Sequence, residues 1–326
     1  MTINLKKILV LFGGNSFEHK ISCKSAKTIL ENIDTSKFDV TTVGIKENNW
    51  YIFYDNLDLL SNNTWLKGNI KKIDNIIEFL KKFDKVFPII HGNDGETGAL
   101  SGIFNLFNIQ YVGSNILGHS TSYDKEITKI ICNHNKIPQV PYIILNTNKK
   151  IKKLDIDFPV IIKPASCGSS IGINIANNNK ELNKYVKEAF KYDNKVIIEK
   201  FIKARELECA VLEKNNKLKI STIGEIKSKN TFYDYESKYI LKSNIIIPAN
   251  IDNSIIKQIQ EYSAKIFKIL SLKDLSRIDF LYDYEDNKIY FNEVNTIPGF
   301  TNISMYPQLF NYEGISTKEL ITILLK

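Results

Sequence analysis

Apolar positions in the first third of the chain follow two different periods. Ile8 to Phe12 is an unbroken apolar run of strand length closed by Gly13-Gly14, and beyond it Ala26, Ile29, Leu30 and Ile33 recur at i, i+3, i+4 and i+7, the spacing of one helix face. That is a strand, a glycine turn and a helix. Val40 to Ile45 and Val86 to Ile90 are further buried-strand candidates, and Leu100, Ile103, Phe104 and Phe107 mark an amphipathic helix after His91-Gly92. Alternating strands and helices predict a doubly wound parallel sheet, with ligands bound beside the loops at the carboxyl ends of the strands.

Near His119 the rhythm changes. Asp124 is placed to cap a helix carrying Ile127, Ile130 and Ile131 on one face, before Pro138 and Pro141 interrupt. Strands then dominate: Val160 to Ile162, Ile171 to Ile175, Val196 to Glu199, Leu207 to Leu212 and Leu218 to Ile223, with one helical stretch from Leu182 to Phe190. This part is expected to be α+β and antiparallel. Lys227 to Ser243 is polar and aromatic without a steady period, the mark of a long functional loop. At 326 residues the chain suits two or three domains, and the change of pattern places one boundary near His119.

Composition narrows the function classes. Hydrophobic residues at 43% and charged residues at 25% are globular values, and no apolar run approaches the roughly 20 residues that span a membrane. The net charge of +8 invites an anionic partner, but the lysines are spread evenly and form no basic arm, so nucleic acid is not expected. The four cysteines, Cys23, Cys132, Cys167 and Cys209, contain no C-x-x-C pair and read as reduced thiols of a cytosolic protein. Met1 to Gly14 has no signal-peptide pattern and reads as a first strand.

Two stretches carry candidate chemistry. Ser276 to Tyr282 and Ile289 to Asn295, joined through Asp286-Asn287, predict a hairpin. Period two puts Arg277 with Asp279 on one face of the first strand and Glu293 with Asn295 on one face of the second, so that these side chains can converge. Two carboxylates and an amide oxygen are hard ligands that suit Mg²⁺, although a solvated hairpin face would have the same spacing. Lys163-Pro-Ala-Ser-Cys-Gly-Ser-Ser-Ile-Gly172 ends a buried strand in a small-residue loop whose amides can cradle phosphate; a ligand-free glycine hairpin is the plain alternative. Walker A and G-x-G-x-x-G strings are absent. Gly168 to Gly172 also spells G-x-S-x-G, but a hydrolase of that kind needs its histidine after the serine. His19, His91, His119 and His134 all precede Ser170. No histidine or cysteine pattern supports zinc. His134 suits a core or helix-end position, His91 a ligand crevice, and Glu18 the first strand-to-helix turn.

Six strings in order resemble the D-alanine–D-alanine ligase family, an ATP-grasp group: Phe12 to Ser22, His91 to Gly98, Lys163 to Gly172, Thr231 to Tyr239, Arg277-Ile-Asp279 and Asn292 to Thr301. The resemblance implies an N-terminal α/β domain (1–118) followed by a two-part ATP-grasp fold (119–198 and 199–326), with Mg²⁺ (or Mn²⁺) and ATP serving to join two D-alanines for peptidoglycan synthesis in the cytoplasm, and a homodimer. It implies Asp279, Glu293 and Asn295 as metal ligands, and Lys125, Lys163, Ser169 and Lys238 at the phosphates. Glu199, Lys200 and Ile202 would surround the base and Glu206 would meet the sugar. Glu18 and His91 would lie at the first substrate, Arg277 and Gly299 at the oxyanion, and Ser304 and Met305 at the second substrate's carboxylate. Glu18, Ser169 and Tyr239 would form a hydrogen-bonded trio. Tyr123 stands where the family usually has methionine, and Cys167 where an acidic residue is common. Leu241 to Ser243 and Ile245 to Pro248 have the flavour of relatives that use D-serine or D-lactate. A catalytically silent nucleotide-binding protein is the rival from another class.

Overall fold

A computed structural model describes residues 5–146, 151, 154–227 and 244–326. Three sheets follow one another along the chain. The first contains β1 (Lys6–Gly13), β2 (Phe38–Lys46), β3 (Asn49–Phe53), β4 (Ile70–Lys72) and β5 (Lys85–Pro88), in the order β4-β3-β2-β1-β5. β1 runs parallel to both β2 and β5, while β3 and β4 add antiparallel. The parallel expectation therefore holds for the adjacent strands β2, β1 and β5. The other edge departs from it because Glu47-Asn48, both with positive φ, make a two-residue hairpin that returns β3 antiparallel to β2. Ile8 to Phe12 is fully buried, and the helix His19–Asn32 turns Cys23, Ala26 and Ile29 onto the sheet. Gly13 has φ +98, and a Cβ there would stand 2.4 Å from the Ile45 carbonyl oxygen, so the chain leaves β1 by a path that only glycine follows easily.

The second sheet is antiparallel: β6 (Tyr142–Leu145), β7 (Val160–Pro164), β8 (Asn174–Ala176) and β9 (Val196–Lys200), in the order β6-β9-β7-β8. Its core is closed by the helix Asn179–Ala189 through Leu182, Val186 and Ala189. β8 is shorter than the strand expected at Ile171 to Ile175, because the positive φ of Gly172 keeps that end in the loop. In the helix Lys125–His134 the inward residues are Thr128, Lys129 and Cys132. Of the apolar face expected there, Ile131 packs against the core but Ile127 and Ile130 are exposed; the face turned inward carries Lys129 in a buried ion pair with Glu199. His134 ends this helix in an exposed position.

The third sheet is β10 (Arg205–Lys214), β11 (Lys217–Lys227), β12 (Asn244–Ile246), β13 (Leu275–Asp283) and β14 (Lys288–Asn295), all antiparallel in the order β12-β11-β10-β13-β14. The helix Asn253–Ile269 covers one face, packing Ile259, Ile266 and Phe267 with Ile278, Phe280 and Phe291. On the other, Tyr306, Leu309 and Phe310 share a core with Ala210 and Leu212 of β10 and with Ile8, Val10 and Phe87 of the first sheet. The first and third sheets are thus joined through apolar packing, and that junction floors the cleft between them. The connection between second and third sheets runs from 201 to 204. No described helix is long and apolar enough to cross a membrane.

Candidate active site

The charged floor of the cleft comes from strand register. β14 sets Asn295 opposite Arg277 and Glu293 opposite Asp279, and β10 sets Glu208 opposite Asp279 from the other side. Arg277 Nε donates to Asp279 Oδ1 at 2.8 Å and Nη2 to Oδ2 at 2.7 Å. Nε also lies 2.9 Å from Glu208 Oε2. Asn295 Nδ2 donates to Asp279 Oδ2 at 3.1 Å, and Lys125 Nζ stands 3.7 Å from Glu293 Oε2. Burial alone would lower the Arg277 pKa; Asp279 and Glu208 outweigh it and keep the guanidinium charged well above its ordinary range. Among the described residues no three His, Cys, Asp or Glu side chains form a ready metal cage. Two carboxylates and an amide instead suit a hard cation that takes its other ligands from water and phosphate, which fits Mg²⁺.

The glycine-rich loop lies over this floor. Ser169 and Ser170 have φ of 53 and 58, a left-handed conformation uncommon outside glycine. It brings the Ser169 hydroxyl onto Glu18 Oε1, to which it donates a short hydrogen bond. Two glycines make room for that carboxylate: a Cβ at Gly168 would stand 3.1 Å, and one at Gly92 3.0 Å, from Glu18 Oε2. Lys125 Nζ donates to the Cys167 carbonyl at 2.8 Å, so one ammonium touches both the loop and the Glu293 carboxylate. Tyr123 donates a short hydrogen bond to Asn93 Oδ1. Lys238 and Tyr239 lie outside the described residues.

Opposite the loop, Ser304 Oγ accepts the Thr301 N–H at 3.0 Å and begins the helix Met305–Tyr312. Met305 is buried against Gly224, where a Cβ would meet its sulfur at 2.3 Å. Gly299 backs onto Ser304, its imagined Cβ 2.8 Å from Oγ. Glu18, Lys125, Ser169, Arg277, Gly299 and Met305 all line one cleft with about 1150 Å³ of free space open to solvent. His91 lines it too, but its ring is held by protein: Nδ1 lies 2.9 Å from the Ile297 carbonyl and Nε2 3.4 Å from Ser25 Oγ. Burial pushes its pKa down against the pull of Glu18.

A second charged group lies away from that lining. Glu199, 2% exposed, is pinned between Lys129 at 2.6 Å and Lys163 at 2.5 Å. Burial would raise its pKa, yet the two ammonium groups hold it at about 2. Lys163 also reaches Asn292 Oδ1 at 3.3 Å, which ties β7 to β14 next to Glu293. Lys129 sits over the Tyr142 ring at 5.1 Å, a cation–π contact. Glu199 and Lys200 end β9, Ile202 lies in the connection and Glu206 is near the start of β10, so these four straddle the junction of the second and third sheets. The Lys200 N–H is spent on the Pro141 carbonyl at 2.9 Å.

Three charged residues of these sites were not singled out by sequence reasoning. Glu208 is two residues beyond Glu206, on the same face of β10, and period two alone could have flagged it. Glu96 lies inside the His91 to Gly98 string; its carboxylate accepts the Gly92 N–H at 2.8 Å. Burial, and then the neighbouring Glu18, push its pKa up to about 8. Lys129 gives no signal, because its partner is 70 residues away.

An antiparallel sheet carrying a phosphate-type loop, packed beside a second that carries acidic metal-type ligands, defines the ATP-grasp class of ligases. The chain matches the D-ala D-ala ligase N-terminus over residues 7–114 and the D-ala D-ala ligase C-terminus over residues 131–326. It is 41% identical to the D-alanine–D-alanine ligase of Acetivibrio thermocellus, covering 97% of this chain and 94% of that one. It is also 41% identical to the enzyme of that name from Clostridium acetobutylicum, over 98% and 97%. Among solved structures, the VanG D-Ala:D-Ser ligase of Enterococcus faecalis superposes with a TM-score of 0.89 at 35% identity, covering 99% of both chains. The D-alanine-D-alanine ligase of Coxiella burnetii gives 0.84 at 31%, over 98% and 93%. This chain belongs to the D-alanine–D-alanine ligase family.

Proposed function

We propose that the protein joins two D-alanine molecules into D-alanyl-D-alanine at the expense of ATP, the dipeptide unit used in peptidoglycan precursors. The observation that carries this reading is the convergence, in one cleft, of Glu18 with Ser169 and of Arg277 with the Asp279–Glu293 pair. An ammonium acceptor thereby faces a phosphoryl-transfer floor. The γ-phosphoryl group of ATP passes to the carboxylate of the first D-alanine, giving an acyl phosphate and ADP. The amine of the second D-alanine then attacks the acyl carbon, phosphate leaves with its electron pair, and the amine's proton is lost.

Each group has a physical part in this. Lys125 and Lys163 offset phosphate charge, which is most of what such a transfer asks of a protein. Lys238 is assigned to the same task. Ser169 and the small-residue loop donate to phosphate oxygens. Glu18 receives the first ammonium, with Ser169 and Tyr239 completing a hydrogen-bonded trio near the attacking amine. Arg277 and the Gly299 N–H face the oxyanion of the tetrahedral intermediate. The Ser304 hydroxyl and the amides opening at Met305 receive the second carboxylate, helped by the helix dipole. Glu199, Lys200 and Ile202 surround the adenine and Glu206 meets the ribose hydroxyls. His91 forms the wall at the first substrate. Asp279, Glu293 and Asn295 would hold Mg²⁺, with Mn²⁺ as a substitute. When bound, the metal neutralises phosphate charge.

Residues 1–118, 119–198 and 199–326 serve as the three functional parts in this proposal. The family resemblance extends it to a cytoplasmic homodimer. The test is phosphate release dependent on ATP and Mg²⁺ with D-alanine alone, and again with D-serine or D-lactate added, every product identified by mass. D-alanyl-D-alanine as the main product is the expected result. A predominance of D-alanyl-D-serine or D-alanyl-D-lactate would move the chain to that branch of the family. No release from folded, nucleotide-binding protein would defeat the ligase reading.

A further inference from the structure

The segment from Thr296 to Phe300 follows β14, yet the N-terminal half of the chain holds it. Ile297 gives its carbonyl to His91, and the Phe300 N–H donates to Ser25 Oγ at 3.1 Å. The third hold is at its start: His119 Nδ1 lies 2.8 Å from Thr296 Oγ1, across 177 residues of chain. His119 is 2% exposed and Thr296 1%. Thr296 directly follows Asn295 and precedes Gly299 by three residues, so its setting fixes the direction in which both are presented.

We propose that His119 is a positioning residue for ligation, acting through the Thr296 hydroxyl to set the Asn295 side chain and the Gly299 amide. This rests on the roles given to those two groups above. The histidine itself is firmly placed. Its helix, Ile116–Tyr123, starts at Asn115, whose side chain accepts the Gly118 N–H at 2.9 Å. A Cβ at Gly118 would stand 2.8 Å from the Ser271 carbonyl oxygen, so the helix seats backbone-close against the loop before β13. Burial lowers the His119 pKa to about 4. The ring is therefore neutral near pH 7, with one donor and one acceptor nitrogen, and a threonine hydroxyl can complement either. A neutral partner suits this place, since a cation would compete for the nearby carboxylates. Displacing an oxyanion donor or a metal ligand by a fraction of an ångström lowers kcat, because electrostatic stabilisation works only at the reacting geometry.

Thr296→Val keeps the shape and removes the hydroxyl; Thr296→Ser keeps the hydroxyl. With the parent enzyme ligating D-alanine, Thr296→Val and His119→Asn are expected to lower kcat about tenfold or more, in line with the cost of misplaced groups. The KM for ATP and the thermal shift induced by ADP alone should stay near parental values, whereas Thr296→Ser should restore most of kcat. The double variant His119→Asn with Thr296→Val should be no slower than the slower single variant, as expected of two residues acting as one unit. Equal loss in Thr296→Ser and Thr296→Val, or fully additive losses in the double variant, would overturn the proposal. So would an unchanged kcat in Thr296→Val. Absence of ligation in the parent would instead strike the functional reading itself, and is seen before any variant is made.

Discussion

Two charged groups, one on the second sheet and one on the third, are built from the same residue types with opposite balance. At Glu199 two lysines flank one carboxylate, at 2.6 and 2.5 Å. On the cleft floor Arg277 and Lys125 face three carboxylates, Glu208, Asp279 and Glu293. The first has a cation in surplus and the second an anion. The first suits phosphate and the second a metal cation, and Lys163 reaching Asn292 at 3.3 Å sets them next to each other. Burial differs as well. Glu199 and Lys129 are each 2% exposed as side chains, whereas Glu293 is 27% exposed. The closed group resists change through the cost of an unpaired buried charge, while the open one presents more of its charged surface to the cleft.

Altering the open group should have the largest catalytic effect. Glu293→Gln is expected to reduce turnover by about 10³-fold or more, measured as D-alanine-dependent phosphate release, with the folded state little changed. A variant that keeps even a tenth of parental activity would remove Glu293 from the metal site. Arg277→Lys keeps the charge but loses the planar fork held by Asp279. A fall in kcat of about 10²-fold is expected, larger than any change in the KM for ATP, and the ratio of the two effects is the measurement.

The closed group should respond in stability. Glu199→Gln leaves Lys129 and Lys163 buried with no countercharge, and unfolding in urea should show a loss of about 3 kcal/mol or more. A variant as stable as the parent would mean that water or another anion reaches the lysines.

The last effect is confined to the upper end of the pH range and concerns Glu96. Its folded-state pKa is raised from 4.5 to about 8, so the folded chain holds a proton that the unfolded chain releases. Its contribution to stability is therefore complete below about pH 4.5 and is lost as pH rises toward 8. Ligand-free Glu96→Gln should match the parent at pH 4.5 and become the more stable of the two as pH approaches 8, followed by thermal unfolding. A difference independent of pH would show that Glu96 is ionised in the fold.

Much of this was legible in the order of residues. Ile8 to Phe12 and the i, i+3, i+4, i+7 spacing behind it led to β1 and its helix, because burial of a strand and of one helix face are local patterns. The hairpin carrying Arg277, Asp279, Glu293 and Asn295 was equally readable, since alternation of side chains along a strand needs no knowledge of the rest of the fold. The rotation of the helix Lys125–His134 was not. Three isoleucines suggested one inward face, whereas only Ile131 packs on the core and the face that pairs Lys129 with Glu199 is turned in beside it. Periodicity weighs apolar residues and cannot see a buried ion pair.

By itself, then, the sequence determined most of the buried strands but not the short strands β3, β4, β6 and β12; it also determined the glycine turns, the facing of the acidic and basic side chains on β13 and β14, and the family. Tertiary structure alone decided that β10 would lay Glu208 beside Asp279, that Lys129 would meet Glu199, and that His119, His91 and Ser25 would hold a segment lying 177, 206 and 275 residues away. The reason is physical. Local patterns record how each element hides its own apolar surface, whereas a buried charge or hydroxyl is satisfied by whichever distant group the packing brings within about 3 Å, and spacing along the chain carries no trace of that choice.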